Sequence, residues 1–171
     1  DYFTLLELVP KRGVDLEIQD TVYIGKGKRD QIYKVLGKLD YENLTATSRI
    51  ELEYSIREIV NNNEEKFVDF FNTAGAISTR LHKLELIPGI GKKYMWEIVE
   101  ARKEKPFESF EDITTRIPSL NNPAEMIVNR VKQELDTTTA KKGKKKYYLF
   151  TPIPKAQKKH RNPRNSRNQR K

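Results

Sequence analysis

Leu84-Glu85-Leu86-Ile87-Pro88-Gly89-Ile90-Gly91-Lys92-Lys93 decides how this chain is read. It is written as helix, tight turn, helix. Ser78 and Thr79 are placed to cap a short first helix carrying Leu81, Leu84 and Ile87. Pro88 ends that helix, and Gly89 and Gly91 permit a turn that a Cβ would obstruct. The second helix starts at once, with Met95, Ile98 and Val99 at helical spacing.

The physics of such a turn points outward. The first N–H groups of a helix have no partner inside it, and the helix dipole puts partial positive charge at the same spot. Glycines let a phosphate approach those amides, and Lys92 and Lys93 add charge beside them. Ile87 and Ile90 are sized to plug the turn between the two helices. The plain alternative is a glycine-rich turn joining two packed helices.

The segment closely resembles the helix-hairpin-helix motif of nucleic-acid-binding proteins. The resemblance lies in Leu84–Leu86, in Ile87 to Lys92, in Ile98 and Arg102, and in the Pro106-Phe107-Glu108-Ser109-Phe110-Glu111-Asp112-Ile113 stretch. It implies a second hairpin at Ile117-Pro118-Ser119-Leu120-Asn121-Asn122, followed by a helix over about 123–135. That second turn lacks both glycines, so it carries structural weight only. The residues expected to touch nucleic acid here are Pro88, Gly89, Ile90, Gly91, Lys92 and Lys93.

Working towards the N-terminus, Tyr2–Val9, Asp15–Asp20, Thr21–Gly25 and Ile32–Leu39 have strand-like composition or alternation. Short strands with glycine turns predict a small OB-like β-barrel over 1–42. Lys26, Lys28 and Arg29, with Tyr23 and Tyr33, would form its binding face. The glycines of 25–29 lack the spacing of a nucleotide-binding phosphate loop. A helical spacer follows over 43–77, with Ser48 and Glu51 spaced as a capping box. Phe67, Phe70 and Phe71 form the apolar edge of its second helix. Trp96, the single tryptophan, is expected to anchor the core or a domain junction, with base stacking the lesser alternative.

Towards the C-terminus the chemistry changes. Residues 137–171 hold 13 of the 33 Lys/Arg and none of the 24 acids, which leaves residues 1–136 with 20 bases against 24 acids. The hairpin unit itself, 78–136, carries ten of each. The net charge of +9 is therefore the tail's alone. Tyr147-Tyr148-Leu149-Phe150-Thr151-Pro152-Ile153 is a strand-forming island, and 146–151 is expected to pair with an edge of the barrel. The rest of the extension lacks the apolar surface to fold without a partner. Phosphate contacts are expected from Lys141, Lys142, Lys144, Lys145, Lys146, Lys158, Lys159, Arg161, Arg164, Arg167 and Arg170.

Other function classes find little support. Cysteine is absent, so thiolate metal sites and disulfides are excluded. No apolar run reaches the roughly 18 residues of a membrane span, and a cytoplasmic location is expected. His82 and His160 are far apart, and Glu108, Glu111 and Asp112 are placed to cap a helix rather than to bind metal. No catalytic constellation, cofactor or metal site is read. Some glycosylases carry a helix-hairpin-helix, but the residues typical of their catalytic carboxylate are missing here.

As a whole, residues 2 to about 153 resemble an uncharacterised archaeal family of predicted nucleic-acid-binding proteins. Thr21–Gly27, Tyr41–Thr45 and 84–113 carry that likeness. The expected architecture is α+β: an OB-like barrel, then an all-α tandem helix-hairpin-helix domain, then a basic C-terminal extension. The expected function is non-enzymatic RNA binding, as a monomer within a ribosomal or other RNA–protein assembly. The alternatives are a duplex-DNA-binding accessory protein of repair or recombination, and a protein–protein adaptor with a degenerate hairpin.

Overall fold

A computed structural model describes residues 3–136 and 146–153 of the chain. Strand β1 (Leu6–Pro10) pairs antiparallel with β2 (Ile32–Lys38), from Leu6 opposite Lys38 to Pro10 opposite Ile32. Pro10 closes β1, where its missing N–H costs the ladder little. A 3-10 turn (Tyr41–Asn43) then leads to α1 (Ala46–Asn62) and α2 (Glu64–Thr73). A second two-stranded ladder follows, β3 (Ala76–Ser78) against β4 (Leu81–His82). The chain ends in a 3-10 turn (Lys83–Leu86), α3 (Lys92–Glu104), α4 (Phe110–Arg116), α5 (Pro123–Leu135) and an extended strap over 146–153.

This overturns the barrel. The two ladders have two strands each, no closed barrel exists among the described residues, and the chain is mostly helical. The strands expected at 15–20 and 21–25 do not form. Local bonds satisfy that backbone instead. Asp20 Oδ2 accepts from the Glu17 amide at 2.8 Å, and Gln19 turns the chain at φ +72°. The Tyr23 ring folds over Gly25, where a Cβ would collide with it, and its hydroxyl accepts from the Gly27 amide at 3.3 Å.

The strap does not pair with β1 either. Its amides go to one carboxylate: Glu134 on α5 accepts from the N–H of Leu149, Phe150 and Thr151 at 2.7, 3.0 and 2.9 Å, and from the Thr151 hydroxyl at 3.0 Å. Glu134 is only 2% exposed and is neutralised by Arg130 Nε at 2.8 Å. Phe150 then docks edge-on against Phe67 and Phe70, with ring centroids 5.5 and 5.0 Å away.

The helices share one core. Ile56 and Val60 of α1, and Phe67, Val68 and Phe71 of α2, pack with Ile98 of α3, Ile113 of α4, and Ile127, Val128 and Val131 of α5. A polar seam flanks it: Arg57 on α1 holds Glu125 on α5 at 3.1 Å, and Lys132 on α5 pairs with Glu53 on α1. The linker into α4 is fixed by Asn72, whose amide donates to the Phe107 carbonyl at 2.9 Å and accepts from its N–H at 2.8 Å. Two helix starts differ from expectation. Thr45, not Ser48, caps α1, accepting from the Ser48 amide at 3.1 Å. Ser78 and Thr79 start no helix: a strand pair and a 3-10 turn stand there, capped by His82.

Candidate nucleic-acid interface

Two turns dominate the helical unit. In the first, the Ile87 amide closes the 3-10 turn on the Leu84 carbonyl and the Ile90 amide bonds the Ile87 carbonyl, both at 3.0 Å. Between them Gly89 sits at φ +90°, the left-handed value that this bend requires and that residues with a Cβ avoid. Ile87 and Ile90 are both buried, so the wedge expected from sequence is present. Methyl Cε of Met126 on α5 would lie 3.3 Å from a Cβ at Gly89, so that glycine also admits the neighbouring helix.

Gly91 is the N-cap of α3, and it brings no side chain to bond the helix's first amides. The first bond into the helix is Met95 N–H to the Gly91 carbonyl at 2.9 Å. The amides of residues 92–94 therefore lie beyond the intrahelical pattern. Gly91, Lys92 and Lys93 are exposed, and a Cβ at Gly91 would meet nothing within 4 Å. The approach is open. Lys93 is 79% exposed and faces Glu97 at 3.8 Å, whereas Lys92 makes no ion pair among the described residues.

The second turn repeats the frame with a different finish. Ile117 and Leu120 are buried, and the Leu120 amide bonds the Ile117 carbonyl at 2.9 Å. Here the left-handed residue is Asn122, at φ +48°. Its side chain accepts from the Glu125 amide at 3.0 Å, capping α5 itself. Pro123 at the first helical position has no N–H to offer, and Glu125 puts negative charge in the first turn. No comparable anion cradle remains.

The other predicted residues divide sharply. Lys26 and Lys28 are exposed on the loop before β2, while Arg29 turns back to the Gly25 carbonyl at 3.0 Å. With the barrel gone, these three share no sheet face. Tyr33 is exposed on β2, and Tyr23 covers its own glycine loop. Lys146 is drawn inward: its ammonium donates to the Asp136 carbonyl at 3.3 Å and lies over the Tyr148 ring, and burial pushes its pKa below the usual lysine value. Lys141, Lys142, Lys144, Lys145, Lys158, Lys159, Arg161, Arg164, Arg167 and Arg170 lie outside the described residues.

Three side chains are placed otherwise than the sequence reading expected, or were not singled out by it. Trp96 is 58% exposed, not an anchor, and it stands one helical turn after Lys92. The signal was available: at about 100° per residue it falls roughly 130° from the middle of the Met95–Ile98 stripe. His82 Nδ1 accepts from the Leu84 amide at 3.2 Å while Glu85 accepts from the His82 amide at 3.0 Å, a capping box with histidine in the usual serine's place. Glu134 gave no local signal of its hold on the strap, because the groups it accepts from there lie 15 to 17 residues away. Ser109 caps α4, its Oγ accepting from the Asp112 amide at 3.0 Å; of the three linker acids Asp112 accepts from the Glu108 amide at 3.1 Å, while Glu108 pairs with Lys105. No metal-competent cluster of His and acids exists among the described residues, and none of their helices is long and apolar enough to cross a membrane.

A family model described as "Protein of unknown function (DUF655)" matches residues 1–152, and the chain belongs to that family. It is 49% identical over 148 residues to "Uncharacterized protein MJ0038" of Methanocaldococcus jannaschii. That match takes in 86% of this chain and 65% of the relative, so the chain spans just under two-thirds of the relative's length. It is also similar to the crystal structure of Af1531 from Archaeoglobus fulgidus, with 47% identity and a TM-score of 0.78 over 88% of this chain and 81% of that one. Both relatives are archaeal, in keeping with the archaeal character expected from sequence.

Proposed function

We propose that this member of the family is a non-enzymatic RNA-binding protein that grips backbone phosphate through a helix-hairpin-helix turn at residues 87–93. One observation carries the reading: α3 begins at an uncapped, exposed glycine, beside a lysine that makes no ion pair among the described residues. Amides at a helix mouth, dipole and ammonium act on the same small volume, which suits a phosphate oxygen. Such contacts hold the backbone and do not read bases. The basic extension, residues 137–171, would supply most of the salt-dependent affinity, at about −0.7 in the log–log salt slope per phosphate on a single strand.

RNA is preferred over duplex DNA because only one of the two turns is open. One cradle suits one strand, whereas a symmetric grip on both strands of a duplex would call for two. An RNA–protein assembly, ribosomal or other, is the setting we propose.

Lys92→Glu is the direct test. It reverses a charge on an exposed side chain, so the fold should stand. Affinity for a structured RNA should fall about tenfold or more, consistent with a charged hydrogen bond of roughly 1.5–3 kcal/mol, and should fall alike for unrelated sequences. Unchanged affinity would remove the turn from the site. Competition between structured RNA and duplex DNA at fixed, moderate salt separates the RNA reading from the DNA one. A partner that survives nuclease treatment and high salt would instead favour a protein adaptor.

A further inference from the structure

Trp96 is the largest side chain left in solvent on α3, and it serves no purpose in the core. It is 58% exposed, its ring makes no aromatic or cation–π contact among the described residues, and its indole N–H meets no acceptor there. A wholly structural tryptophan would bury its ring or satisfy that N–H. The surroundings are specific. Lys92 lies four residues earlier on the same row of the helix and carries an unneutralised charge. Further along the row, Lys103 is bonded to Glu100 at 2.7 Å and offers less. Charge and aromatic surface are thus concentrated at the N-terminal end of α3.

Helix geometry brings the two features together. One turn rises about 5.4 Å. The Cα–Cβ bonds of a helix tilt towards its N-terminus, so a side chain covers the turn before its own Cα. The indole is therefore carried back towards the turn that holds Lys92 and the open amides. A cationic phosphate seat beside an exposed aromatic plane is complementary to a single nucleotide unit, with its charge on one side and its flat base on the other. In an intact duplex the base is stacked on its neighbours and cannot reach such a plane.

We infer that Trp96 stacks an unpaired base of the RNA strand whose phosphate occupies the turn at 87–93. The inference rests on the functional reading above, and names what that site would take: a single-stranded or loop nucleotide, not an uninterrupted duplex. Other large exposed apolar side chains, such as Tyr33 and Ile50, lie on different elements and have no comparable cationic seat argued for them.

Because Trp96 is the only tryptophan, the unaltered full chain reports on its own site. Its emission is titrated with an unstructured RNA 12-mer, with the same strand made abasic, and with the matching blunt duplex. Anisotropy of a labelled strand follows binding independently. The expected result is quenching by the 12-mer that saturates together with anisotropy, and weak or no quenching by the abasic strand. Trp96→Ala should lower affinity for the 12-mer by about 5- to 100-fold, Trp96→Phe should restore most of it, and duplex affinity should hardly move. If Lys92→Glu weakens binding while Trp96→Ala does not, the stacking inference falls and the phosphate seat stands. If neither substitution changes RNA affinity, both readings fall. Quenching by the abasic strand equal to that by the 12-mer would also overturn stacking. So would Trp96 emission that responds only to a protein partner.

Discussion

Ile87 and Ile90 in the first turn, and Ile117 and Leu120 in the second, are all buried, and each pair is closed by one backbone hydrogen bond of 3.0 or 2.9 Å. As wedges the two turns are interchangeable. At the mouths of the helices that follow, they part. Gly91 leaves the start of α3 bare and exposed, with Lys92 and Lys93 beside it. Asn122, Pro123 and Glu125 fill, remove or oppose the equivalent positions of α5. Packing is thus common to both, and an uncapped helix start is found at one only. Under the proposed function, the residue at the cap decides whether a turn of this frame can take an anion, while the fold beneath is unchanged.

The shared frame predicts the largest effect. Ile87→Ala and Leu120→Ala should each cost about 2–5 kcal/mol of stability, the usual range for emptying a fully buried aliphatic site. Urea denaturation followed by circular dichroism measures both. A loss at only one of the two would break the claim that the wedges are equivalent.

The next effect sharpens the difference. Gly91→Asp would give the first turn the self-made cap of the second. The new Cβ meets nothing within 4 Å, and the Gly91 backbone lies in the extended region, where aspartate caps well. Stability should rise by about 0.5–1 kcal/mol from capping and dipole together. RNA affinity should fall about 10- to 100-fold, because the aspartate takes the phosphate's place. A variant that is both more stable and still binds would refute the cradle.

Asn122→Ala is the converse. It removes the α5 cap and forces a Cβ residue to φ +48°, so about 1–2 kcal/mol of stability should be lost. RNA affinity, measured by anisotropy well below the melting temperature, should not change. A gain in affinity would mean that uncapping alone can open a phosphate site at the second turn, despite Pro123 and Glu125.

The smallest effect concerns the entry to the first turn. Burial, aided by the nearby Arg102 guanidinium, holds the His82 pKa below its ordinary value of 6.5. Its Nδ1 accepts from the Leu84 amide, so the neutral ring is the one that caps. Below about pH 6.5 the unfolded chain takes up a proton that the folded chain resists, so stability falls as pH drops through that value towards the folded pKa. Above about pH 7 the histidine should cause no pH dependence. His82→Gln should flatten the drop in urea midpoint between pH 7 and 6. The second turn's cap, Asn122, has no titrating group and should show no such slope.

Local chemistry was legible wherever neighbours in sequence are neighbours in space. Pro88, Gly89 and Gly91 announced the first turn, and the missing glycines at 117–122 announced that the second would not match it. Pro123 at the first helical position and the capping acids near Ser109 were also readable. Strand-like composition at 15–25 misled, because alternation records a preference for extended chain and says nothing of an available partner. The strap was misread for the same reason: Tyr147–Phe150 has strand composition, but its amides found a carboxylate on α5 before any ladder edge.

The sequence by itself determined the bend at 87–91, the helix that follows it and the charge split at residue 137, since each depends on backbone preferences and composition within a few residues. Only the tertiary structure decided that the N-terminal strands stay a two-stranded ladder and that Glu134 claims the strap. Those outcomes turn on which distant group bonds an amide of the chain. That competition is settled by the packing of α1, α2 and α5, and no local pattern encodes it.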